Sequence, residues 1–288
     1  MRKNTSQSTI LSVAIPCILC IYTWATGYSN NQAPYIILQC AIISLAIHAV
    51  IGIPSIISRS ERFYDFTGTI SVWAMISLCY STLPTTHIQT RGQLLAVLCL
   101  IWTTRLGGFL LFRILKHKKD RRFDQLKKNP VSFLIAWEMS ATWTVITILS
   151  ALAALTSDKQ APLQSIDFLM IIGWIIAFAI ETIADWQKYQ FKYQQHKTPF
   201  ICHGLFAYCR YPNYLGEILM WVFVAGIAWP NLNGSLYLSL ISPVFVYILL
   251  TRVSGINLHE ASNKKRFGHL KKYQSYCQKT PLLMPRLF

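Results

Sequence analysis

The chain has 288 residues, of which 53% are hydrophobic and only 13% charged, which excludes an ordinary soluble domain. Its mean hydropathy is positive, so we read it as all-α, a polytopic helical bundle in a membrane. The formal net charge of +16 would suit nucleic acid, but the position of the charges along the chain excludes that partner.

A bilayer-spanning helix needs about 20 mostly apolar residues. Eight stretches qualify: Ile10 to Thr26, Pro34 to Ile57, Phe66 to Leu83, Gln93 to Leu115, Val131 to Leu155, Phe168 to Asp185, Tyr214 to Trp229 and Leu236 to Val253. The seventh is the shortest. The basic start MRKNTSQS before Ile10 to Trp24 resembles a signal peptide, yet no convincing small-x-small cleavage site follows, so the segment is read as a retained first helix. Residues 1–60 then form an N-terminal transmembrane hairpin and 61–288 a second domain with a polar C-terminal tail. The eight cysteines fall mostly in apolar runs, where a thiol acts as a small hydrophobe. Cys17 and Cys20 form a C-x-x-C without a second ligand pair, so zinc is not expected.

Placing the termini and alternate loops on one side gathers nearly all of the 27 Lys and Arg there. Arg91 and Lys159 fall on the other side, and Arg105 and Arg113 lie inside the fourth helix. This asymmetry predicts an even helix number with both termini cytoplasmic, and it accounts for the basic balance without nucleic acid. Such a face meets anionic lipid headgroups. A charge as deep as Arg105 needs a partner; Glu138 and Glu181 are the available acids, so a structural ion pair is as good a reading as a ligand contact.

The stretch HGLFAYCRYPNYLGE, His203 to Glu217, is the densest in potential chemistry. Pro212 keeps Tyr211 out of helical geometry and suits a first helical turn, so Asn213 to Glu217 opens a helix. Arg210, Asn213, Tyr214 and Glu217 bring a phosphate clamp, an amide, an aromatic surface and an acid within two turns. A helix cap with Arg210 on headgroups is the structural alternative. Glu181, Asp185, Lys188 and Lys192 share one face of the sixth helix, and lysines four apart repel unless an anion lies between them. That pair reads either as a phosphate site or as interfacial snorkelling with Asp185 as partner. In RFYDFTG, Tyr64 offers a hydroxyl for a substrate carbonyl, and Asp65 offers an N-cap. The seven histidines show no H-x-x-x-H pair, so no metal centre is expected, and without G-x-G-x-x-G any dinucleotide site is non-Rossmann. The basic segment from His259 onward should fold back across the cytoplasmic mouth.

Arg-Tyr-Pro-Asn-Tyr-Leu-Gly-Glu at 210–217 resembles the C-terminal signature of steroid 5-alpha-reductase-like membrane proteins, in particular their DUF1295 branch. RFYDFTG at 62–68, KDRRFD at 119–124, ADWQKYQFK at 184–192 and the closing Tyr-x-x-Tyr run add to the resemblance. Tyr211 stands where that signature has histidine. The resemblance implies an NADPH-dependent reductase of an activated C=C bond in a steroid-like or isoprenoid lipid drawn from the bilayer. Gln187, Lys188, Phe191 and Lys192 match a cofactor motif of related sterol reductases. Lys188, Lys192 and Arg210 would hold phosphates, Asn213 and Tyr214 would touch the cofactor, and Glu217 with Tyr64 would handle the proton. No obligate protein partner is implied, and in a bacterium the membrane would be the inner one. S-adenosylmethionine-dependent methyl transfer of the isoprenylcysteine type is an alternative, but that cofactor has no phosphates for the lysine pair. A non-catalytic lipid-binding protein is the third reading.

Overall fold

The computed structural model describes residues 33–84, 90–117, 120, 123–193 and 198–285. The expected first helix, Ile10 to Thr26, and the Cys17–Cys20 pair lie outside them. Every regular element among the described residues is helical. Among the described residues four helices are long and apolar enough to cross a membrane, or five where a bent pair is counted as one span, which fits an integral membrane protein. The segments expected as the third and seventh spans form helices of 19 and 17 residues and are not among the five.

The chain divides into two compact units, the first running to Leu163 and including Ala228–Ser242, the second comprising Gln164–Ile227 and Pro243–Phe288. In the first unit, α1 (Ala33–Ile57), α2 (Tyr64–Thr82) and α3 (Thr90–His117) precede α4 (Pro130–Thr147) and α5 (Leu149–Thr156). Proline at the first position and the Asn129 side chain, which accepts from the Val131 and Ser132 N–H groups, start α4. The expected single helix from Val131 to Leu155 is instead bent by 51° at Ile148. No proline causes this: the Thr147 carbonyl is taken by the Ser242 hydroxyl, and Ser150 donates to the Ser239 carbonyl, so hydroxyls satisfy backbone groups at the break. All eight residues of α5 are buried. Cys40, Cys79 and Cys99 are buried here as well, consistent with a packing role.

Arg91, one of the two cations expected on the less basic side, is 1% exposed and donates to the Ala161 and Pro162 carbonyls at 3.2 and 2.8 Å. Asn231 accepts from the Ala161 N–H and donates to the Ala154 carbonyl, so Arg91 belongs to a polar cap on the loop after α5. At another corner, RFYD meets the segment around Asp120. The buried Glu61 carboxylate, just before α2, accepts from the Asp120 N–H and pairs with Lys127, while Asp120 pairs with Arg113 at 3.6 Å.

Burial raises the Glu61 pKa, but the Asp120 N–H and the Lys127 ammonium outweigh it and hold the carboxyl below its usual range. A depressed folded pKa contributes stability above the unfolded value, near 4.3, which is lost as pH falls through the folded one. Glu61→Gln should therefore melt below the wild type at pH 7, and the gap should close on acidification below about pH 4. Thermal unfolding in nanodiscs at both pH values checks this.

Candidate functional site

The second unit is built on α6 (Ser165–Tyr193) and α7 (Pro212–Ala228), with α9 (Ile256–Phe267) and α10 (Lys271–Lys279) following the short α8 (Ile241–Ile248). α6 runs two turns beyond the apolar stretch expected for it, so Gln187, Lys188 and Lys192 are still helical. The two long helices are antiparallel neighbours: Met170 meets Gly226, Phe223 lies over Gly173, Gly216 sits on Ala177 and Glu181, and Asn213 donates to Asp185 at 3.3 Å. A Cβ at Gly216 would stand 2.6 Å from the Ala177 carbonyl oxygen and 2.7 Å from the Glu181 nitrogen. Both are backbone atoms, so glycine alone allows this approach.

This register carries the sequence-predicted residues to one end of the pair. Glu181 and Glu217 are buried near Gly216. One turn farther along, Asn213 is 7% exposed; its amide is on Asp185 and its Oδ1 has no hydrogen-bond partner among the described residues. The Lys188 ammonium lies 5.7 Å over the Tyr214 ring. The Lys192 ammonium, one turn on, lies 5.0 Å over the Tyr193 ring. Gln187 is a peg for the following loop: its Oε1 accepts from the Leu205 N–H at 3.0 Å. Gly204, at φ +60°, leaves room for that amide, which a side chain would strike.

Arg210 and Tyr211 have a partner not singled out in the sequence. Glu260, on α9, receives Arg210 Nη1 at 2.6 Å on one carboxylate oxygen and the Tyr211 hydroxyl at 2.7 Å on the other. Burial, then the Glu260 carboxylate, pushes the Tyr211 pKa up, so the phenol stays a neutral donor. Tyr211 is thus structural where the resembled signature has histidine. Arg210, read as a phosphate clamp, spends Nη1 on Glu260 and the Cys277 sulfur. The tail does fold onto this loop: the Arg210 and Tyr211 N–H groups donate to Pro281 and Leu282, and Tyr276 donates to the Phe206 carbonyl at 2.7 Å.

Tyr64, the other residue expected to act on a proton, belongs to the first unit. Its hydroxyl donates to the Ala136 carbonyl at 2.7 Å, and its ring packs edge-on against Phe123 and Trp137. Sequence reasoning missed Glu260 as the anchor of Arg210 and Tyr211, and His259, whose ring lies 6.2 Å from Tyr214 and 6.3 Å from Tyr211. Their only signal was that one acid and one imidazole adjoin in a basic tail.

An all-helical membrane protein with a polar, aromatic-lined cluster at one end of a tight helix pair is the class these features define. The family model described as protein of unknown function, DUF1295, matches residues 53–280, and the chain belongs to this family. No curated protein matches the chain, and no solved structure does.

Gly216→Ala tests the register. The added methyl meets backbone on the facing helix, so the helices must separate; overpacking of this kind costs about 1–3 kcal/mol. The variant should melt lower than the wild type, whereas Gly108→Ala, where a Cβ meets nothing within 4 Å, should not.

Proposed function

We propose that this protein is an NADPH-dependent reductase of an activated C=C bond in a steroid-like or isoprenoid lipid. On this reading it has eight membrane spans, both termini in the cytoplasm, and its cofactor site on the cytoplasmic face. The observation that carries the reading is the Lys188–Tyr214 pair beside the Asp185–Asn213 bond, which offers a cation, an accessible aromatic face and a buried amide oxygen at one helix end. These groups fit a dinucleotide: ammonium for phosphate, ring for ring, and a buried acceptor for a carboxamide N–H.

NADPH, when bound, supplies the hydride. Lys188 and the exposed Lys192 hold phosphate, and Arg210 adds the part of its guanidinium that Glu260 leaves available. Asn213 and Tyr214 orient the ring. Glu217, 7% exposed and one turn deeper than Asn213, supplies a proton on the side toward the bilayer, from which an apolar substrate enters. The lysines favour this reading over methyl transfer, because S-adenosylmethionine gives them no anion to hold.

The test is equilibrium binding of NADPH and S-adenosylmethionine to the full chain in nanodiscs, with Lys188→Ala/Lys192→Ala alongside. NADPH should bind the wild type, and the double variant should lose about tenfold to a hundredfold in affinity, as expected for charge-assisted contacts. Unchanged affinity would remove the lysines from the site. Binding of S-adenosylmethionine alone would replace reduction by methyl transfer, and binding of neither would leave a non-catalytic lipid protein.

A further inference from the structure

We infer that His259 contacts the ligand of this site, completing with Lys188 and Tyr214 a cation-aromatic platform for a planar ring that carries phosphate. The inference deepens the functional reading above and rests on it. Three rings from two parts of the chain meet here. Tyr211 and Tyr214 stack within 6° of parallel at 5.7 Å, and His259 approaches both at 6.3 and 6.2 Å, tilted by 34° and 40°. Exposure separates their roles. Tyr211 is 4% exposed with its hydroxyl on Glu260, so it forms the floor. Lys188, Tyr214 and His259 are each half-buried and form the part a ligand reaches.

The imidazole is fixed in place from its own helix. His259 precedes Glu260, whose two carboxylate oxygens are held by Arg210 and Tyr211, so the α9 backbone at 259 is tied to the start of α7. An imidazole held this way offers a flat face for stacking, beside an ammonium already placed over the neighbouring ring. A flat ring bearing phosphate uses all three groups, whereas an aliphatic lipid chain uses none of the charge.

Full-length wild type and His259→Ala, in nanodiscs, are titrated with NADPH and with S-adenosylmethionine, and thermal unfolding reports the fold. NADPH affinity should fall about tenfold in the variant, the order expected for one stacked ring. A variant that melts as the wild type and binds NADPH equally well overturns the assignment of His259 while the reductase reading stands. If the wild type binds only S-adenosylmethionine, the reductase reading and the phosphate-bearing ring fail together, and His259 stands as a ring contact only where the variant loses that ligand. A wild type that binds neither sinks both. Should the variant not fold, carbethoxylation of His259 in the wild type by diethyl pyrocarbonate, followed by mass spectrometry, decides: bound ligand should slow it several-fold, and an unchanged rate overturns the inference.

Discussion

The contact on which the second unit depends is backbone against backbone at Gly216. α7 lies on the Ala177 carbonyl and the Glu181 N–H of α6 with no side chain between them. In lipid, helix association draws on close packing of small residues, because the hydrophobic effect between helices is absent. That single point fixes the register of two long helices, and so places Asn213 opposite Asp185 and Tyr214 beneath Lys188. Gly173 under Phe223 and Gly226 against Met170 continue the same seam toward the other end. The polar groups are thus positioned by where glycines occur on facing helices, and the hydrogen bonds between them follow from that placement.

A second constraint acts from the C-terminal side. Glu260 spans two donors on consecutive residues, and the backbone of those residues also donates to the tail at Pro281 and Leu282. The Arg210 and Glu260 side chains are 14% and 30% exposed, so the ion pair is partly solvated and adds little net stability of its own. The fork therefore acts mainly as a positional device. It ties α9 to the loop entering α7, so the two elements that carry His259 and Tyr214 keep a fixed distance although 45 residues of sequence separate them.

Much of the fold was legible because apolar length is a strong signal. Pro34 to Ile57 and Gln93 to Leu115 fall within a residue or three of α1 and α3. The bend at Ile148 was not legible, since the residues that satisfy it, Ser239 and Ser242, lie about 90 positions away and look like ordinary small polar residues in an apolar run. Within the candidate site, the 210–217 string announced its residues but not their partners. Helical spacing put Lys188 and Lys192 on one face, yet side-chain direction was open, and each ammonium found a different ring. Arg210 was read as reaching outward because the one acid able to hold it stood 50 residues downstream.

The order of side chains along α6 gives the site its polarity. Glu181 is 2% exposed; Asp185 and Lys188 follow toward the helix end, and on the same turns Trp186, 49% exposed, stacks on Tyr189, which meets Tyr193 tilted by 52°. Trp and Tyr concentrate at the boundary between hydrocarbon and water, so this composition suits the end of a membrane span, and on the proposed reading Lys188 and Lys192 fall at headgroup depth. Along α6 the buried Glu181 lies about two turns before Lys188, on the order of 10 Å at 1.5 Å per residue. An amphipathic reaction needs such an arrangement. On the proposed reading a charged nucleotide stays at the boundary, held by lysines that need not be desolvated, while the lipid and the proton donor remain in the apolar layer where its double bond resides.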